Sequence, residues 1–356
     1  MEETGGIYVD NHQQARILSR LYRSLPKVEL HRHLEGSLRL ETLQEISQAH
    51  NIPVPGTSEL REMVSISPDD HLTFENFLSK FKTLRLFYRS PEAIFRITRE
   101  AIEDAAADNV RYMELHFTPV ALSRAERFPL GDVMDWVLQA GQAAAAQNQI
   151  QIRYIVSVNR QEGPTIAEEV ALLAADRMPR GIVGIGLAGN EADYTGLDFE
   201  GVFQEARQSG LHITIHAGEW GPAQNVIDAI SILGAERIGH GVRVLEDPAA
   251  VALARERATT FEVCITSNYQ SGAVTILNDH PLPRMLEAGL DVTINTDDPS
   301  ISQITLGNEY RVAVEELGLT QAMLRQRVLA AAQASFLTQT SKEELVQMLE
   351  AEFPAV

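Results

Sequence analysis

Eight short β-rich runs recur along the chain, and their alternation with helical patterns constrains the fold more than any other feature. They cover residues 28–31, 111–117, 151–158, 182–187, 212–216, 237–239, 260–265 and 291–295. Between most of them lie Ala-, Glu-, Leu- and Arg-rich segments with helical periodicity, such as 90–108, 133–148 and 199–209. Strands that alternate with helices pair in parallel through right-handed crossovers. Eight such units in roughly 270 residues predict an α/β chain folded as a (β/α)8 TIM barrel, with a doubly wound sheet as the competing arrangement. About eighty residues separate the first two runs, which predicts a helical segment inserted after strand 1. From Thr320 onward the pattern predicts C-terminal helices packing outside. No internal repeat, low-complexity tract or linker interrupts the chain, so one domain over residues 1–356 is expected.

Composition narrows the function classes. A 44% apolar content is enough for a sizeable core, and a formal charge of −19 would repel nucleic acid and anionic membranes. Neither is expected as a partner. The one cysteine, Cys264, excludes an internal disulfide and suits a reducing compartment. Glu2, Glu3 and Asp10 stand where a signal peptide would be apolar, and no run reaches the length of a membrane span. A cytoplasmic protein is expected.

In a parallel barrel, reactive groups gather at the C-terminal ends of the strands. Here the first run ends in His31-Arg32-His33, the fourth in Leu187-Ala188-Gly189-Asn190-Glu191, and the fifth in His216-Ala217-Gly218-Glu219. The sixth ends in Gly239-His240-Gly241 and the eighth in Asn295-Thr296-Asp297-Asp298-Pro299. Each has an ordinary alternative: Asp297-Asp298 before proline suits a turn, and His216–Glu219 suits a helix entry. Together they favour chemistry, and the barrel over the open sheet. His116 and His212 read as core or surface residues, and Cys264 as core within its strand. On one strand His31 and His33 face the same way, because side chains alternate with period two. With His216 and Asp297 they make a nitrogen-rich N3O set suited to Zn2+. A catalytic zinc also needs a water, whose pKa it lowers toward about 7. His240 is then the spare imidazole, placed to orient or deprotonate that water, and Glu219 the carboxyl placed to pass a proton. The set reads as a hydrolase.

These residues resemble the adenosine deaminase family of metal-dependent barrels. The resemblance runs from "LPKVELHRHLEGS" through "GLAGNE", "HITIHAGEWG", "ERIGHGV" and "FEVCITSN" to "TINTDDPS". It implies one zinc per chain held by His31, His33, His216 and Asp297, with Glu219 protonating N1 of a purine and His240 activating water. It further implies Asp298 on N7, the Gly189 backbone on N3, and a helix carrying Phe77 and Leu78 that covers the substrate. Periodicity alone makes that segment an ordinary core-facing helix. Asp297 and Asp298, adjacent on a strand, are expected to face opposite ways and serve different atoms.

One residue departs from the family pattern. Glu35 stands where the family motif HxHLDG has an aspartate near the ribose 5′-hydroxyl, and is expected over the pocket's rim, facing the 5′ end. The implied activity is hydrolytic deamination of adenosine or 2′-deoxyadenosine to the inosine counterpart and ammonia, the partners being a purine nucleoside and water. The glutamate opens an alternative, a 5′-modified adenosine such as 6-aminodeoxyfutalosine or 5′-methylthioadenosine; free adenine is disfavoured by the "LAGNE" loop. An AMP-type substrate is not expected, since no Gly-rich or basic phosphate cradle stands out. A silent nucleoside-binding barrel is the non-enzymatic alternative.

Overall fold

The computed structural model describes residues 20–353. Glu2, Glu3 and Asp10, on which the expectation of no signal peptide rests, lie outside them. Eight parallel strands pair in chain order: β1 (Lys27–His33), β2 (Val110–Phe117), β3 (Gln151–Asn159), β4 (Ile182–Ala188), β5 (His212–Ala217), β6 (Arg237–His240), β7 (Thr260–Val263) and β8 (Asp291–Ile294). This is the (β/α)8 barrel. Its seam is closed by backbone bonds at the upper end of β1, from His33 N to Asp297 O at 2.8 Å and from Asp297 N to His31 O at 2.9 Å. Lower down, the Leu30 N–H donates to the Asn295 side chain at 2.9 Å.

The insertion after β1 comprises α1 (Leu40–Ala49), α2 (Thr57–Val64), α3 (Phe74–Leu84) and α4 (Pro91–Ala107). α3 and α4 start where the sequence supplies caps, since Thr73 accepts from the Asn76 N–H and Ser90 from the Ala93 N–H. α3 buries Phe77 and Leu84 and lies across the top of the barrel. The C-terminal helices Gln321–Ala334 and Gln339–Glu352 bury Leu324, Val328, Leu345 and Leu349 against the outside. No helix among the described residues is long and apolar enough to cross a membrane.

The seventh run is shorter than expected. Its strand ends at Val263, and Cys264 is the N-cap of a helix, Ile265–Gln270, rather than a strand residue, although it is fully buried. The cause is tertiary. Glu309 takes the Thr266 N–H at 3.1 Å and also the Thr266 hydroxyl, turning β-branched residues into a helix start.

Candidate active site

The first two histidines come together by a less regular route than period two suggests. β1 carries an irregularity in its pairing with β2 between Glu29 and Arg32, which brackets His31. Even so, His31 Nε2 and His33 Nε2 lie 3.2 Å apart. A bulge re-aims side chains locally. His216, at the end of β5, brings its Nε2 to 3.3 Å from His33 Nε2. Asp297 Oδ1 is 3.4 Å from both His31 Nε2 and His33 Nε2.

These separations test whether a metal fits. Four ligands at the 2.0–2.1 Å of a zinc–nitrogen bond sit roughly 3.3–3.4 Å apart at the corners of a tetrahedron. The four separations above meet that spacing, and the donors of His31, His216 and Asp297 all lie within 4.8 Å of one another. The tautomer of His31 is also right: its Nδ1 lies 2.8 Å from Glu262 Oε2, so Nδ1 carries the hydrogen and the Nε2 lone pair faces the cluster. Burial alone would raise the Glu262 carboxyl, yet Arg237 beside it and His31 hold it down at about 2. Asp297 is oriented through its other oxygen, which accepts from Ser267 Oγ at 2.6 Å.

Backbone geometry aims two of the residues. His240 and Asp297 are left-handed, with φ of 61° and 64°. Non-glycine residues adopt this region at a cost of about 1–3 kcal/mol and concentrate at functional sites. The kink at Asp297 corrects the strand-alternation argument. β8 ends at Ile294, so turn geometry rather than the pleat separates Asp297 from Asp298. Close approach accounts for two glycines. A Cβ at Gly239 would lie 2.9 Å from the His31 ring, and one at Gly36 only 1.9 Å from Asp298 Oδ1.

Over the cluster opens a cleft of about 610 Å³, its mouth included. His33, Glu35, Phe77, Leu78, Gly189, His216, Glu219, His240, Asp297 and Asp298 line it, while His31 is fully buried behind them. All the residues singled out from sequence thus gather in one place. Glu219 Oε2 sits 3.5 Å from His240 Nε2. Burial, then the Asp297 and Glu191 carboxylates, push the Glu219 carboxyl well above the ordinary glutamate range. Asp298 is raised likewise by burial and by Asp297, and its Oδ1 has no protein partner.

Glu35 is not at the rim. It sits on the turn Leu34–Gly36, 3% exposed, with Oε1 accepting the Thr118 N–H at 2.5 Å and Oε2 unpartnered in the cleft wall. A chain leaving β1 in a tight turn tucks this side chain inward. His116 packs its ring 4.9 Å from that of His31 and donates Nε2–H to the Leu30 carbonyl, so it buttresses the cluster. His212 pairs with Glu236 at 2.9 Å, at the N-terminal end of β5.

Several contributors escaped sequence reasoning. Glu262 had a signal, a charge inside the apolar strand Thr260–Val263. Glu191 closes the "GLAGNE" motif, and its carboxylate accepts the N–H groups of Gly218, Glu219 and Trp220 at 2.7–3.0 Å. Arg85 and Gln161 also line the cleft, with no pattern that marks them in advance, and so does Trp220, which stands in the quoted "HITIHAGEWG".

Comparison with known proteins decides the family. Residues 26–352 match the adenosine deaminase family model. The chain belongs to the adenosine deaminase family. An adenosine deaminase of Klebsiella pneumoniae is 36% identical over 330 residues, 91% of this chain and 97% of that protein. Among solved structures, an adenine deaminase from Arthrobacter aurescens superposes with a TM-score of 0.85 at 29% identity, covering 92% of this chain and 98% of that one. Arabidopsis ADAL complexed with IMP gives 0.83 at 26%, covering 93% and 98%. An amidohydrolase from Burkholderia ambifaria with bound Zn gives 0.83 at 26%, covering 98% and 96%. This family member is a hydrolytic aminohydrolase acting on a purine amine, and deaminases of the amidohydrolase type are metal-dependent.

Proposed function

We propose that this deaminase acts on adenosine and 2′-deoxyadenosine, with one zinc per chain held by His31, His33, His216 and Asp297. The observation that carries the proposal is the convergence of those donors, each of His31, His216 and Asp297 lying 3.2–3.4 Å from His33 Nε2, beneath a cleft whose other wall presents a raised carboxyl, Glu219. When bound, such a cation supplies Lewis acidity that makes water a nucleophile near neutral pH.

The protein's own groups do the rest. Purine C6 resists attack because addition breaks the aromatic ring. Glu219 delivers its proton to N1 as the water oxygen bonds to C6, and the C6–N bond then breaks. Of the two protons of water, one leaves with ammonia and the other restores Glu219, so the product is the 6-oxopurine with hydrogen on N1. A carboxyl still protonated near neutral pH suits this task. His240 orients the water, Asp298 meets N7 and the Gly189 backbone meets N3. α3 lays Phe77, Leu78 and Phe81 over the cleft, which excludes bulk water.

A second reading concerns the 5′ end. Arg85 lines the cleft with its Nε buried and unpartnered, and Glu35 offers an unpartnered oxygen. A 5′-modified adenosine could use either group. Ammonia release across adenine, adenosine, 2′-deoxyadenosine, 5′-methylthioadenosine, AMP and 6-aminodeoxyfutalosine tests both, with zinc counted in parallel. The highest kcat/KM on the two unmodified nucleosides with one zinc per chain is expected. A preference above tenfold for a 5′-modified substrate would select the second reading, and two metals per chain would overturn the single-zinc site.

A further inference from the structure

The hydrogen-bond network behind Glu219 and His240 has two ends whose polarity is fixed. At one, the Leu282 backbone N–H donates to His280 Nδ1 at 3.1 Å. A neutral imidazole that accepts on Nδ1 carries its hydrogen on Nε2, and His280 Nε2 lies 3.4 Å from Asn268 Oδ1. His280 is therefore the donor, and the Asn268 amide is turned so that its NH2 points the other way. Both hydrogens of that NH2 have acceptors, His240 Nδ1 at 3.0 Å and Glu219 Oε1 at 3.3 Å. At the other end, the indole of Trp220 can only donate, and its Nε1 does so to Ser271 Oγ at 3.2 Å. The Ser271 hydroxyl passes its hydrogen to Glu219 Oε1 at 3.3 Å. Asn268 is fully buried, and His280 and Ser271 are nearly so.

The polarities meet without conflict. His240 accepts on Nδ1, so its hydrogen is on Nε2, the atom 3.5 Å from Glu219 Oε2. Glu219 Oε1 accepts twice and has no room for a hydrogen of its own.

Resting on the roles proposed above for Glu219 and His240, we infer that Asn268, oriented by His280, is a positioning residue that sets where the hydrogens of both groups sit. It holds His240 as the Nε2–H tautomer and leaves Oε2 of Glu219 as the oxygen that carries the transferable proton. Sequence left two roles open for His240, orienting the water or taking its proton. This polarity selects orientation, because an Nε2 that already bears hydrogen enters the reaction as a donor.

Long-range 1H–15N correlation on protein labelled in histidine reads the tautomer directly, with the His240 signals assigned by their loss in His240→Gln. Wild type is expected to show hydrogen on Nε2. Asn268→Asp replaces the donor by an acceptor, so the hydrogen should move to Nδ1 and kcat should fall roughly 10²–10⁴-fold, with metal content kept and KM within about threefold. His280→Leu releases the amide and should populate both tautomers, which keeps the test alive if the aspartate variant does not fold. His280→Gln retains a donor toward Asn268 and should keep the wild-type pattern and most of kcat. A wild-type His240 with hydrogen on Nδ1, or a tautomer unmoved in both Asn268→Asp and His280→Leu, would overturn the inference. The tautomer is read without substrate. The expected pattern without ammonia release from any purine would uphold the assignment and sink the nucleoside reading instead.

Discussion

In the proposed reaction Glu219 acts as an acid at a pH where an ordinary glutamate is already ionised. Its surroundings meet that demand by removing water and setting two carboxylates, Asp297 and Glu191, near it. The same features make Glu219→Gln a clean probe. The amide oxygen can still accept from Asn268 and Ser271, so packing and polarity on the Oε1 side survive. On the Oε2 side an NH2 that faces His240 Nε2 replaces the acidic O–H. The variant should keep its metal and its melting temperature while kcat drops about 10²–10⁴-fold. Parallel metal analysis and steady-state kinetics check this, and near-wild-type turnover would remove Glu219 from proton transfer.

At the scale of elements, the site depends on short segments that hold each other's backbone. The turn after β5 presents three successive N–H groups, of Gly218, Glu219 and Trp220, to the one carboxylate of Glu191. Glu191→Gln sets an NH2 against some of these donors, and Glu191→Ala leaves them buried without partners. A buried donor without a partner costs about 1–3 kcal/mol. Both variants should melt lower and lose at least tenfold in kcat, because Glu219 rides on the turn. Turnover within twofold of wild type in both would show that the turn holds its shape unaided.

Glu191 also shows where sequence reasoning stops. The strands were legible because buried parallel strands read as apolar runs, and the candidate site because its proposed ligands stand at the ends of those runs. The partners of those ligands were not. Glu191 acts on residues 27–29 positions away, and Glu262 on Thr214 and His31, 48 and 231 positions away. No local pattern encodes such pairings. The end of β7 was missed for the same reason, since what stops the strand before Thr266 is a carboxylate from residue 309. The Glu35 side chain was placed at the rim because a linear extension of β1 leads there, whereas the observed turn Leu34–Gly36 folds it inward.

For the whole molecule, protonation and metal act on stability through groups that no surface change reaches. Burial raises the Glu309 carboxyl to about 7, although the Thr266 hydroxyl and N–H pull the other way. Between about 4.5 and 7 the folded chain therefore keeps a proton that the unfolded chain has released, and stability falls as pH rises through that window. Glu309→Gln cannot titrate but still offers an oxygen to Thr266. Relative to wild type it should gain stability from pH 5 to pH 8, approaching about 3 kcal/mol above pH 7. A melting-temperature difference constant across that range would show that Glu309 is ionised throughout.

Metal removal is the remaining whole-molecule test, because the proposed ligands join parts of the chain that are far apart. His31 and His33 belong to β1, His216 to β5, and Asp297 follows β8. Two of these, His31 and Asp297, also share the backbone bond at 2.9 Å that helps close the seam. A cation there ties the seam to the opposite wall. Without it, only contacts of 3.2–3.4 Å among His31, His33, His216 and Asp297 join these elements at that point. A ligand bound only by the folded state stabilises it by about 4 kcal/mol at a thousandfold excess over Kd. For a chain of this size that corresponds to a fall of roughly 5 °C in Tm on chelation. Hydrogen exchange should rise first at the upper ends of β1 and β8, and stoichiometric zinc should restore both readouts. An unchanged Tm after complete removal, with exchange at the seam unaltered, would mean that the barrel closes without help and that the four donors are no structural metal site.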